Sequence, residues 1–149
     1  MDEDRVLKLA GKEITLRSAL LNFDEHTIND FLRKEAGNYA SYSAYHADAQ
    51  YVHSKYEDRY DALYAEKFKL YREESSSDKM AEMKTKSDTD IQEAIEMVRL
   101  AKHNANIIYG FIRSMDRAHD NAREFCYNLR KELDKIYGST VKSSLSDLI

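Results

Sequence analysis

The chain has 149 residues, no Pro, four Gly, one Cys and a formal net charge of −4. That length fits one domain with a real core. One Cys excludes an intramolecular disulfide, no stretch approaches the roughly 18 apolar residues of a membrane span, and a mildly acidic total argues against strong nucleic-acid binding by a lone subunit.

The start, Met1-Asp2-Glu3-Asp4, lacks the basic-then-apolar order of a signal peptide. The expected location is therefore cytoplasmic. Charge is spread unevenly. Residues 1–66 carry 8 basic and 13 acidic side chains, whereas residues 97–131 carry 7 basic and 3 acidic. A basic face on the second half would be multiplied by oligomerisation.

Along the first 22 residues, Lys12-Glu13-Ile14-Thr15-Leu16 alternates polar and apolar after Gly11 and fits a short strand, while a short helix through Leu20-Leu21 fits equally. Asp24 is placed to cap a helix from Glu25 that buries Ile28, Phe31 and Leu32, with a break or kink at Gly37. From Tyr39 to about Glu74 a long helix is predicted. Its seam holds Tyr42, Tyr45, Ala49, Val52, Tyr56, Leu63 and Leu70, and Tyr60, Tyr64, Phe68 and Tyr71 lie on a neighbouring stripe. Ser75-Ser76-Ser77-Asp78 and the lysine-rich run to Asp88 read as a polar connection, either a loop or a frayed turn.

The strongest pattern starts at Asp88 or Thr89, where either residue can cap a helix. Counting heptads from Ile91 gives Ala94, Val98, Ala101, Ala105, Ile108, Ile112, Met115, His119, Ala122, Cys126, Leu129, Leu133 and Ile136, with His119 the one polar member. The predicted end is near Tyr137, with Gly138 as the stop. A flexible Ser-rich tail follows over 139–149, with Leu145, Leu148 and Ile149 as a candidate docking motif.

The expected fold is all-α: a long antiparallel helical hairpin with a smaller N-terminal element, assembling through coiled-coil-like helix packing. Residues 1–38 form the N-terminal segment and 39–138 the αα-hairpin, with its connection near 75–88. Val98, Ala105, Ile108, Ile112, Met115, His119 and Leu129 are the predicted packing positions. Met97, Phe111 and Phe125, beside the seam, are expected to leave apolar surface that drives self-association.

No catalytic constellation stands out: there is no Gly-rich phosphate loop, no HExxH and no Cys-x-x-Cys. No cofactor is called for. His46, His53 and Glu57 share a helical face, and Asp116 and His119 stand three apart, but neither set completes a metal site. His119 reads as a register-setting polar residue and Cys126 as a small buried hydrophobe.

Aromatics interleaved with cations make a stacking surface for single-stranded bases. Tyr64, Lys67, Phe68, Lys69, Tyr71 and Arg72 have that composition, and Lys79, Lys84 and Lys86 follow. Arg99 and Lys102 belong to a second basic set, with Arg113, Arg117, Arg123 and Arg130, suited to phosphate contact or helix–helix ion pairing. The competing readings are ring packing for the tyrosines and a solvated face for the lysines.

In this order along the chain, Lys67-Phe68-Lys69-Leu70-Tyr71, Glu82-Met83-Lys84-Thr85, Asp88-Thr89-Asp90-Ile91, Tyr109-Gly110-Phe111-Ile112 and Met115-Asp116-Arg117 resemble the UvsY-type recombination mediators of tailed phages, over roughly Tyr39 to Leu133. After the arginine, Ala118-His119-Asp120-Asn121 stands where that family tends to show an aromatic and a basic-amide run. The resemblance implies a non-enzymatic factor in DNA recombination and repair. Such a factor forms a homo-oligomeric ring, binds single-stranded DNA and helps load a RecA-like recombinase onto strands covered by single-strand binding protein. The alternative is a helical adaptor or inhibitor that binds a protein partner, with no nucleic-acid role.

Overall fold

A computed structural model describes residues 4–9 and 11–146. Two strands, β1 (Arg5–Leu9) and β2 (Lys12–Leu16), pair antiparallel with Leu7 opposite Ile14 and Leu9 opposite Lys12. Gly11 closes the two-residue turn at φ +80°, a left-handed conformation that glycine adopts without steric cost. Side chains alternate across the ribbon, so Leu7, Leu9, Ile14 and Leu16 share one buried face. A single 3-10 turn, Ser18–Leu21, follows. The strand and the short helix, equal readings of this segment, are therefore both present in succession.

Helix α1 spans Ile28–Glu74 without interruption. Asp24 accepts from the backbone N–H of His26 and of Thr27, at 2.9 and 2.8 Å, and so caps the turn that leads into it. The break expected at Gly37 does not occur. An isolated glycine costs a helix only about 1 kcal/mol, and tertiary packing on both sides outweighs that. The N-terminal segment and the hairpin core thus share one helix across the boundary at residue 38. Ile28 is buried, with Phe31 and Leu32 half-buried.

The connection is ordered as α2 (Asp78–Ser87), not a loop. Ser77 accepts from Met80 N–H at its start, and Lys84 and Lys86 lie in the last turn, where the helix dipole favours cations. Its buried face is only Ala81 and Thr85, too little apolar signal to read from the sequence.

Helix α3 begins at Thr89 and runs to Ser146, beyond the expected stop at Tyr137. Gly138 does not end it because no Pro follows to forbid continuation. Leu145 falls on its last turn; Leu148 and Ile149 lie outside the described residues.

Helices α1 and α3 pack antiparallel, with the partners of α1 receding along α3: Glu35 meets His119, Tyr42 meets Phe111, His46 meets Tyr109, and Lys67 meets Asp90. The seam of α3 is buried at Ile91, Ala101, Ala105, Ile108, Ile112, Met115 and Ala122, and half-buried at Val98 and Cys126. His119, the polar member of the seam, pairs through Nδ1 with Glu35, whose side chain is 13% exposed.

The β-ribbon lies over the middle of the hairpin. Its apolar face joins Tyr42, Ala49, Ala105, Ile108 and Ile112 in one core. Phe111 packs on Tyr42, and Phe125 on Phe23. These two rings are therefore covered by the chain's own N-terminal half and do not supply the free apolar surface expected of them. Met97, the third residue named, is 41% exposed, and more such surface lies further on, where the seam leaves α1 behind: Leu129 is 41% and Leu133 44% exposed. Among the described residues no helix is long and apolar enough to cross a membrane.

Candidate nucleic-acid interface

Most of the predicted basic-aromatic residues gather at the corner where α1, α2 and α3 meet, but many are engaged with nearby rings or acids. Tyr64 and Phe68, one turn apart, lie parallel with 6.4 Å between ring centroids, and Tyr60 adds a third ring 5.9 Å from Tyr64. All three are half-buried. Ring packing, the plainer of the two readings, thus accounts for part of this stripe.

Lys67 Nζ sits 2.6 Å from Asp90 and 3.1 Å from Asp88. Hydrogen bonds to Asp90 first and Asp88 second hold its pKa above the ordinary lysine value. Tyr71 donates its hydroxyl to Asp88 at 2.6 Å. That bond, helped by Lys67, holds the Asp88 carboxyl below its usual range; the same bond raises the Tyr71 phenol, against the opposing charge of Lys67. Asp88 also receives Asp90 N–H at 2.9 Å, and its own N–H reaches Thr85 O at 3.2 Å. One residue therefore ends α2, caps α3 and anchors a cation from α1.

Arg72 pairs with Asp78 across the α1–α2 turn, Lys86 with Glu82, and Arg99 with Glu96. Four cations of the predicted set are thus partly neutralised within the chain. Lys69, Lys79, Lys84 and Lys102 make no ion pair among the described residues. Lys84 lines a shallow depression with Lys67, Tyr71 and Asp90. Arg99 lies about 14 Å along α3 from Asp90, from the helical rise, and Lys102 one turn further, so these two do not join the corner. Of the remaining basic set, Arg113 lies over the Tyr109 ring, 6.0 Å from its centroid.

The histidines considered as ligands differ: His119 is paired with Glu35, whereas the buried His53 Nε2 makes no hydrogen bond. His46 lies against the Tyr109 ring, and His53 Nε2 is 3.5 Å from Glu57. Among the described residues no three metal-ligating side chains gather.

No family model, curated protein or solved structure matches this chain.

A second set of cations escaped the sequence reading. Lys12, Lys55 and Arg59 surround a cleft of about 500 Å³ between the β-ribbon and α1, together with Tyr45, Tyr51 and Tyr56. The signal was available at one end: Tyr51, Lys55 and Arg59 follow at four-residue spacing and share a helical stripe. The other end was not, because only the docked ribbon brings Lys12 there.

Proposed function

We propose that this chain is a recombination mediator without enzymatic activity: an oligomer that binds single-stranded DNA and assists loading of a RecA-like recombinase on strands held by single-strand binding protein. The observation that carries the reading is the uncovered heptad seam beyond Cys126, in a chain whose unpaired cations at the far corner are too few for one subunit to hold a strand firmly. Assembly through Leu129 and Leu133 would hide the seam and bring several weak cationic patches onto one strand, where effective concentration multiplies their affinity. The ordered short matches to the UvsY-type mediators support the same reading.

Fluorescence anisotropy of a labelled oligo-dT at low and high salt tests it. Binding should weaken steeply with salt, the logarithm of the affinity falling by about 0.7 per phosphate neutralised for each unit of log salt. Lys69→Ala combined with Lys84→Ala is the informative variant, because neither lysine supports a described ion pair.

One observation favours the adaptor reading instead. The in-chain pairing of Lys67, Arg72, Lys86 and Arg99 removes cations from the phosphate-binding set. No binding of oligo-dT at low salt would select it.

A further inference from the structure

The cleft between the β-ribbon and α1 differs from the corner in two respects. Its cations are unengaged: Lys12, Lys55 and Arg59 form no ion pair among the described residues. Its leading aromatic is also free. Tyr51 is 71% exposed and makes no ring contact among the described residues. Packing therefore does not explain this tyrosine, as it explains Tyr42, Tyr64 or Phe68.

The ribbon register makes Lys12 the more unusual. Lys12 stands opposite Leu9 and on the same face as Ile14 and Leu16, where the alternation otherwise places hydrophobes. Leu9, Ile14 and Val52 give the cleft an apolar floor. Glu13 and Asp48 also line it, so the lining carries a net charge of only +1. That balance suits one phosphate attached to a flat apolar ring better than a bare polyanion. The volume falls within the usual range of small-ligand sites, about 300–1,000 Å³.

We propose that this cleft is a single-nucleotide subsite for single-stranded DNA, in which one base stacks on Tyr51 over the apolar floor while its phosphate is held by Lys55, Arg59 and Lys12. The inference rests on the single-strand reading above and deepens it. It assigns base stacking to the ribbon–α1 cleft instead of the Tyr64–Phe68 stripe, whose rings are already stacked on each other.

The test uses the full chain and a fluorescein-labelled oligonucleotide for anisotropy, with a second strand carrying 2-aminopurine to report stacking. Circular dichroism confirms that each variant keeps its helix content. Tyr51→Ala should weaken binding about tenfold, the scale of one base–aromatic stack, and should abolish the 2-aminopurine quench. Tyr51→Phe keeps the ring and should retain both. Lys55→Ala with Arg59→Ala should weaken binding by a similar factor and flatten the salt dependence. If the wild-type chain binds the strand but Tyr51→Ala leaves affinity and quench unchanged, the subsite is wrong and the mediator reading stands. If the wild-type chain binds no strand at low salt, the mediator reading falls and takes the subsite with it.

Discussion

The Tyr42 ring is buried against Phe111 and Tyr45, while its hydroxyl donates to the Thr15 carbonyl 2.7 Å away. Burial raises its pKa, so the phenol stays protonated and remains a donor. Tyr42→Phe keeps the ring and deletes that bond, and should cost about 1 kcal/mol in urea denaturation. Asp88 makes a different prediction, one that depends on pH. Asn caps a helix as well as Asp does, so Asp88→Asn isolates the carboxylate's charge. Hydrogen bonds from Tyr71 and Lys67 depress the folded pKa of Asp88 below its unfolded value. Its contribution is therefore complete above about pH 4, where the unfolded carboxyl is ionised, and is lost as pH falls through the lower folded value. Lys67, with a raised pKa, keeps its proton across this whole window. The wild-type chain should be more stable than Asp88→Asn at pH 7, and denaturant midpoints measured down to pH 2 should converge.

Two glycines separate strain from permissiveness at the scale of elements. Gly11 lies at φ +80° with open space around an added Cβ, so Gly11→Ala meets a backbone cost alone, about 1–2 kcal/mol. Gly37 lies within α1, also with open space, and Gly37→Ala should stabilise by about 0.5–1 kcal/mol. Thermal melts of the two variants should move in opposite directions. The same comparison shows what could be read in advance. The start of α3 was legible because a sustained heptad period and a capping residue agreed, whereas alternation after Gly11 left strand β2 as one of two equal readings. The break expected at Gly37 is absent because local propensity cannot see Ile28, Tyr42 and Ala49 burying faces on both sides of it. Strand β1 went unread because its partner, not its own five residues, makes it a strand. Helix α2 was hidden by its composition: capping at Ser77 and the Glu82–Lys86 pair support a segment that buries almost nothing apolar.

At the scale of the molecule, α1 and α3 are unequal partners of 47 and 58 residues. The cap before α1 and the packing of Phe23 on Phe125 mark where the intramolecular cover ends. Beyond it the α3 seam continues through Leu129 and Leu133 without change of period. Charged replacements there should not unfold the hairpin, since both sites are already wet. Sedimentation velocity at micromolar concentration should show the wild-type chain as an oligomer and Leu129→Lys with Leu133→Lys as a monomer, with helix content preserved. The candidate sites were legible in unequal measure for the same reason. The corner cations stand close in sequence, but the acids that neutralise Lys67 come from another helix. The cleft joins residues 12 and 59, which no local pattern connects.

The bond from Asn104 to the Lys8 carbonyl spans 96 positions of chain, whereas Lys67 and Asp90 are 23 apart. Closing a short loop is entropically cheaper than closing a long one. The antiparallel helices can therefore zip from the corner outward, each pairing shortening the search for the next, while the ribbon is tethered to α1 across only 27 positions through the Tyr42–Thr15 bond. In native-state hydrogen exchange the amides of β1 and β2 should open at lower free energy than those around Ile108. Detaching the ribbon would expose the cleft's apolar floor while the long helices stay paired.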